Sequence, residues 1–334
     1  MPDPEIPQYK DILAAAARIA PYAVRTPLVE SPVLSARLDR PVFLKLELLQ
    51  RTGSFKFRGA VNRLALIPEA ARAGGVVAFS SGNHAQGVAA AAALFGMKAL
   101  IVMPADAPRA KIAGTAALGA EIVHYDRVHD DREAIAAKIC AERGATLVAP
   151  YDDPIVMAGQ GTAGLEIAED AKRFGVTLEQ VLVPVSGGGL AAGIALALKG
   201  AGETVTVHSV EPENYDGMRR SLEAGTRVAA PGGKLSMADA LMAPIPGHHV
   251  FALAEGLLGA GLVVSEDELE RALSFAAQKL KLFVEPGGSA ALAAALARKA
   301  PGPKNNKGAL CLVLSGGNAD FATVANAVAR IPEP

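Results

Sequence analysis

The segment from Val181 to Leu198 restricts the fold of this chain more than any other. It carries no charged residue, yet Pro184 and three consecutive glycines, Gly187, Gly188 and Gly189, interrupt it. Its length alone suits a membrane-spanning helix. The interruption argues instead for a buried strand over Val181–Val185, a glycine turn, and a helix over Leu190–Leu198. A strand that passes through such a turn into a helix is the building unit of parallel α/β sheets. Glycines let the backbone approach an anion, and the start of the helix favours negative charge. The loop Ser186-Gly187-Gly188-Gly189-Leu190 is therefore read as a phosphate cradle, although a tight turn without a ligand uses the same residues.

The rest of the chain repeats this alternation. β-rich apolar runs lie at Val42–Leu48, Val76–Phe79, Ala99–Val102, Glu121–His124, Leu147–Ala149, Val205–Val210 and Ala309–Leu314. Helical stretches lie at Gln86–Leu94, Arg132–Arg143, Ala163–Phe174, Asp267–Lys281 and Ser289–Ala297. The alternation predicts an α/β fold of mostly parallel sheets covered by helices on both faces. With 334 residues, more than one core is expected. Residues 71–149 form their own run of strand–helix units and are expected to be a small domain. Residues 1–70 and 150–334 are expected to form a larger, discontinuous one. The Gly/Pro-rich stretches at 229–233 and 300–308 read as surface loops.

Composition excludes several function classes. The net charge is −1 and no long basic run occurs, which argues against nucleic acid or an acidic membrane surface as a partner. The two cysteines, Cys140 and Cys311, sit in no CxxC or Cys/His cluster, so neither a disulfide framework nor a structural zinc is expected. The first ten residues, MPDPEIPQYK, have no basic and apolar leader pattern, and a cytoplasmic location is expected.

Four further motifs carry chemistry. In Thr52-Gly53-Ser54-Phe55-Lys56-Phe57-Arg58-Gly59-Ala60, a lysine stands between two aromatics at the start of a helix. Apolar walls disfavour an ammonium ion, and a neutral amine is what a Schiff base requires. An ordinary surface lysine fits the spacing as well. In Ser80-Ser81-Gly82-Asn83-His84-Ala85-Gln86-Gly87, a polar loop after a strand opens a helix, an arrangement that binds a carboxylate or simply caps the helix. Leu314-Ser315-Gly316-Gly317-Asn318 places a serine at the C-terminal end of a strand, where α/β sheets bind ligands. Glu285-Pro286-Gly287-Gly288-Ser289 reads as a glycine-rich loop or a plain helix entry. A rival reading of Gly187-x-Gly189-x-x-Ala192, with Glu211 at the end of the next strand, is a dinucleotide site. That reading leaves the lysine and serine motifs unexplained.

Taken in order, these motifs, with Ala158-Gly159-Gln160-Gly161-Thr162, resemble the fold-type II pyridoxal-phosphate enzymes. The likeness is to the branch of serine/threonine dehydratases and serine racemase, and it spans roughly residues 20–320. It implies that Lys56 is the Schiff-base lysine. The amides of Gly187, Gly188, Gly189 and Leu190 would cradle the cofactor phosphate, with Ser186 at the loop's edge. Asn83 would meet the cofactor's phenolic oxygen and Ser315 its pyridine nitrogen. The loop of Ser80, Ser81, Gly82, Asn83 and His84 would take the substrate carboxylate, and Arg132 would face the substrate.

The activity implied is removal of ammonia from serine, threonine or 3-hydroxyaspartate by β-elimination, giving a 2-keto acid, in a homodimer. Ser81 departs from the alanine of ordinary threonine dehydratases and resembles serine racemase and the 3-hydroxyaspartate dehydratases. A hydroxyl opposite Lys56 would serve as a second acid–base group, which makes an amino-acid racemase the alternative. Metal-activated relatives place Glu, a backbone carbonyl and Asp at Glu211, Tyr215 and Gly217. Here Gly217 supplies no carboxylate, so only Glu211 and the Tyr215 carbonyl carry over as candidate Mg2+ ligands. No regulatory domain is expected after the Ser315 motif.

Overall fold

The computed structural model describes residues 6–107, 109–127, 129–302 and 308–332. The first five residues and most of the 300–308 stretch, both interpreted above, lie outside the described residues. Among the described residues the strands are β1 Leu28–Glu30, β2 Val42–Leu46, β3 Val76–Phe79, β4 Ala99–Pro104, β5 Glu121–Tyr125, β6 Thr146–Leu147, β7 Leu178–Pro184, β8 Thr206–Pro212, β9 Leu262–Val264 and β10 Ala309–Leu314.

They form two sheets. The larger has the order β1-β2-β10-β7-β8-β9, and the smaller β5-β4-β3-β6. Every pairing is parallel except β1 with β2. The expected α/β fold with two mostly parallel sheets is what the chain adopts.

Burial on both faces explains the near-continuous apolar strands. In β10, Ala309, Cys311 and Val313 join the core on one face of the large sheet, while Leu310, Leu312 and Leu314 join the core on the other. Each buried leucine contributes about 2 kcal/mol. In β4, Ala99, Ile101 and Met103 face one small-sheet core, and Leu100 and Val102 face the other.

The helices begin and end where local chemistry directs. Asp153 accepts hydrogen bonds from the amides of Ile155 and Val156 at 2.8 and 3.1 Å, Pro154 follows at the first helical position, and Gly175 ends the helix Pro154–Phe174 at φ 66°. This helix carries the Ala158–Thr162 motif, and the structure gives the motif a packing role. A Cβ added to Gly159 would lie 2.7 Å from the Cα of Gly59, on the helix Lys56–Ala65. One added to Gly161 would lie 2.9 Å from the carbonyl oxygen of Gly193, on the helix Gly189–Gly200. Small residues let three helices meet nearly backbone to backbone.

Several boundaries differ from expectation. The strand read as Val181–Val185 begins at Leu178, and the one read as Leu147–Ala149 is the two-residue β6. The short β1 and β9 were not expected. The helix over Asp267–Lys281 is α-helical only over Glu266–Phe275 and passes into a π-turn at Ala276–Leu280. There Lys281 turns left-handed at φ 59°, and the Leu282 amide bonds back to the Ala276 carbonyl at 3.0 Å. Among the described residues no helix is long and apolar enough to cross a membrane. Cys140 and Cys311 are both free.

Candidate active site

The C-terminal ends of β3, β7 and β10 each deliver a loop to one cavity of about 460 Å3 between the two sheets. That is the size range of small-ligand sites. Lys56, Ser80, Ser81, Gly82, Asn83, His84, Arg132, the stretch Ser186–Leu190 and Ser315 all line it. Residues far apart in sequence thus converge as the motifs implied.

Lys56 opens the helix Lys56–Ala65. Its Nζ donates to the carbonyl of Pro150 at 2.6 Å and stands 5.3 Å from the centre of the Phe55 ring. Burial lowers its pKa to about 8, because the charged form loses its hydration. The two flanking aromatics do not share this work. Phe57 points into the small-sheet core, and only Phe55 faces the cavity.

Two residues after the lysine, Arg58 is wholly buried and anchors the helix start. Its Nε donates to Glu47 at 2.8 Å and its Nη1 to Glu166 at 2.8 Å. Lys45 also bonds Glu166, at 2.5 Å. Burial pushes the Glu47 carboxyl up, but the Arg58 charge and hydrogen bonds, with Lys45 and Thr26, together outweigh this and hold it below its ordinary value.

The loop after β7 requires glycine on steric grounds. A Cβ at Gly187 would fall 2.2 Å from Cγ of Tyr151. Gly188 adopts φ 96°, and a Cβ there would meet the Met218 side chain at 2.5 Å. Gly189 begins the helix Gly189–Gly200, whose first amides have no partner within the helix. A bare backbone cradle at a helix start, facing a buried amine across one cavity, fits a ligand with a phosphate at one end and a carbonyl at the other. Pyridoxal phosphate has that form, so the residues present suit it.

The other walls are held by hydrogen bonds. Asn83 starts the helix Asn83–Leu94. Its amide nitrogen donates to Glu285, and its oxygen accepts from Asn318 at 2.8 Å. Ser80 Oγ accepts from the Gly82 amide at 3.1 Å. His84 is buried with Nε2 2.9 Å from the Val148 carbonyl. Burial first, and the nearby Lys56 charge second, depress its pKa to about 3, so the ring is neutral. Ser315 is fixed through its backbone, whose carbonyl accepts from the Phe55 amide at 3.1 Å. Arg132 lies with its guanidinium 5.2 Å over the Phe79 ring.

Glu211 takes a different place. Both its oxygens accept backbone amides, from Met218 and Arg219 at 2.8 Å each, so its carboxylate caps the helix Gly217–Ala224. Asp216 is engaged by Arg219 and Arg220. Among the described residues no group of three or more His, Cys, Asp and Glu side chains is disposed to hold a metal.

Sequence reasoning did not single out Lys111, Asp239, Glu285, Tyr151 or Pro150 as site residues, yet all line the cavity. Lys111 reaches from the helix Arg109–Ala117 across the cleft to Asp239 at 2.6 Å. It fits beside Gly82 because that residue lacks a side chain: a Cβ there would lie 2.9 Å from Lys111 Cδ. Glu285 was visible in the Glu-Pro-Gly-Gly motif, whereas nothing local distinguishes Lys111 or Tyr151.

Comparison with known proteins gives a consistent result. The family described as pyridoxal-phosphate dependent enzyme matches residues 19–316. A Pseudomonas sp. protein named L-threo-3-hydroxyaspartate ammonia-lyase is 41% identical over 322 residues, covering 96% of this chain and 98% of its own. A Schizosaccharomyces pombe protein named serine racemase is 39% identical over 321 residues, covering 96% and 97%. The solved structure of a maize serine racemase superposes with a TM-score of 0.90 at 33% identity, covering 98% of this chain and 98% of that one.

Proposed function

Because this chain belongs to the family of pyridoxal-phosphate dependent enzymes, we propose that it is an ammonia-lyase that converts a small 3-hydroxy amino acid to a 2-keto acid and ammonia. The observation that carries this reading is the buried Lys56 amine, which shares one cavity with the Gly187–Gly189 cradle and the Ser81–Asn83 loop. Among the candidate substrates, 3-hydroxyaspartate is favoured. Three cations, Lys111, Arg127 and Arg132, line the cavity; Lys111 pairs with Asp239 and Arg127 with Asp106, so a second substrate carboxylate would pair with Arg132 or exchange with one of those acids.

The chemistry divides among the residues. Pyridoxal phosphate, when bound, supplies an electron sink for the charge left at Cα. Lys56, whose burial lowers its pKa to about 8 so that much more of its amine is neutral than in a free lysine, removes the Cα proton. The loop at the start of the helix Asn83–Leu94 orients the substrate carboxylate. Asn83, clamped between Glu285 and Asn318, presents a fixed amide to the cofactor's phenolic oxygen. Ser315 offers the pyridine nitrogen a neutral hydroxyl, which stabilises no charged ring and favours prompt loss of the β-hydroxyl. Residues 71–149 are proposed to act as a small domain, and the whole chain as a cytoplasmic homodimer.

The test is direct. The purified protein with pyridoxal phosphate should show a near-ultraviolet to violet band that borohydride removes, and should release a keto acid from threo-3-hydroxyaspartate faster than from serine or threonine. Lys56→Ala should lose both the band and the activity. A protein that shows no band after addition of pyridoxal phosphate overturns the proposal.

A further inference from the structure

Pro150, Tyr151 and Asp152 stand where the chain leaves the small sheet after β6 and enters the helix Pro154–Phe174. Pro150 and Tyr151 line the cavity, and Asp152 binds a helix behind its glycine loop. The carbonyl of Pro150 accepts from Lys56 Nζ at 2.6 Å. The Tyr151 ring lies so close to Gly187 that no side chain fits there. Asp152 accepts from the amides of His248 and Val250 at 2.8 and 3.1 Å, capping the helix His248–Ala254. The residue before that helix, Gly247, donates to the carbonyl of Gly187 at 3.3 Å. It too must be glycine, since a Cβ would meet Asp152 Oδ1 at 2.4 Å.

Asp152 adopts φ 60°, in the left-handed region that few residues other than glycine enter. Its two accepted hydrogen bonds hold it there. The next residue, Asp153, caps the following helix and pairs with Arg63 at 3.0 Å, so the segment is fixed at its far end as well.

We propose that Asp152 is a positioning residue. By capping the helix His248–Ala254 from a left-handed backbone, it holds the strap Pro150–Asp152 between the Lys56 amine and the Gly187–Gly189 cradle. The separation of those two groups is then set before any ligand arrives. A ligand gripped at both ends, by a covalent bond at one and a phosphate at the other, binds best when that separation is already correct. This inference rests on the pyridoxal-phosphate reading above and assigns the strap a role within it.

Three variants separate side chain from backbone: Asp152→Ala, Asp152→Asn and Asp152→Gly. The measurements are inorganic phosphate binding to the cofactor-free protein by calorimetry, pyridoxal phosphate binding by fluorescence, and kcat and KM at saturating cofactor. Circular dichroism reports the fold. Asp152→Ala should weaken both phosphate and pyridoxal phosphate about five- to ten-fold, the range of one lost helix cap, and lower kcat with KM little changed. Asp152→Asn keeps one acceptor and tolerates the left-handed backbone, and should recover most of the loss. Asp152→Gly relieves the backbone but accepts no bond, and should behave like Asp152→Ala.

A folded Asp152→Ala protein with wild-type affinities overturns the inference, as does an Asp152→Gly protein that matches wild type. If Asp152→Ala does not fold, the other two decide: Asn binding phosphate more tightly than Gly supports the role, and equal binding overturns it. Wild-type protein that fails to bind pyridoxal phosphate would instead overturn the functional reading.

Discussion

The carboxylate of Glu285 accepts a hydrogen bond from the side-chain amide of Asn83, from the opposite side of the cleft, and among the described residues its other oxygen has no hydrogen-bond partner. Burial raises its pKa to about 7, against partial opposition from the Lys111 charge and the Asn83 bond; Asp239 adds to the rise. Its ordinary value is 4.5. A carboxyl that holds its proton more tightly when folded makes the folded state lose stability as pH rises between those two values. The loss should be about 3 kcal/mol, complete above about pH 7. Glu285→Gln keeps an acceptor for Asn83 and removes the titration. Thermal unfolding of the cofactor-free protein should then fall less from pH 5 to 8 for the variant than for the wild type; the decline common to both belongs to Glu211, whose burial pushes its pKa up to about 8. A wild-type profile that rises over this range would contradict the assignment.

The cradle makes a steric prediction. Gly187→Ala drives a methyl group into the Tyr151 ring, so the loop must move. Pyridoxal phosphate should bind at least about tenfold more weakly, the cost of losing roughly one good phosphate contact. Gly302→Ala, at a glycine with nothing among the described residues within 4 Å of the added carbon, is the control and should bind as wild type. Fluorescence titration of both proteins compares them directly.

Arg58→Leu should destabilise the fold by about 3–5 kcal/mol, because it leaves Glu47 buried without its guanidinium partner and removes two hydrogen bonds from Glu166. Denaturant midpoints measure the loss. A double variant that also replaces Glu47 with Gln should regain part of it, since the uncompensated charge is then gone. No recovery in the double variant would place the cost in packing around the guanidinium.

Ser81→Ala tests whether a second acid–base group works in the cavity. If the Ser81 hydroxyl moves a proton at Cα on the face opposite Lys56, D-isomer formation should fall about a hundredfold while elimination from the L-isomer persists. Chiral chromatography of a serine reaction shows it. Unchanged D-isomer formation would remove racemisation through Ser81.

The fold was legible where the sequence repeats one pattern and obscure where it does not. Val76–Phe79 and Ala309–Leu314 were read to the residue because each is a short apolar run bounded by turn residues. β1 and β9 escaped notice because each is a three-residue strand whose place is fixed by its neighbour in the sheet. Lys56 and the glycine loop could be read from local sequence because their chemistry depends on adjacent residues. Lys111 and Asp239 could not, since their meaning lies in meeting each other across the cleft. Phe57 shows the opposite failure. It looked like a wall of the lysine site, but a helix turns adjacent residues about a hundred degrees apart, and its ring went to the core.

β2 pairs with β10, joining Val42 to Leu310 and Leu46 to Leu314 across most of the chain's length. The small sheet is built from one contiguous stretch and can assemble early, while the ribosome is still at work. The large sheet cannot. Its first two strands emerge with an apolar edge and wait until β10 has been made before their partner appears. Pairing between such distant segments closes slowly and leaves sticky surface exposed meanwhile. Lys56 therefore meets Ser315 only after the chain has been made as far as β10. The cavity that both residues line is incomplete before then, and the apolar β2 has no β10 to cover its edge in the meantime.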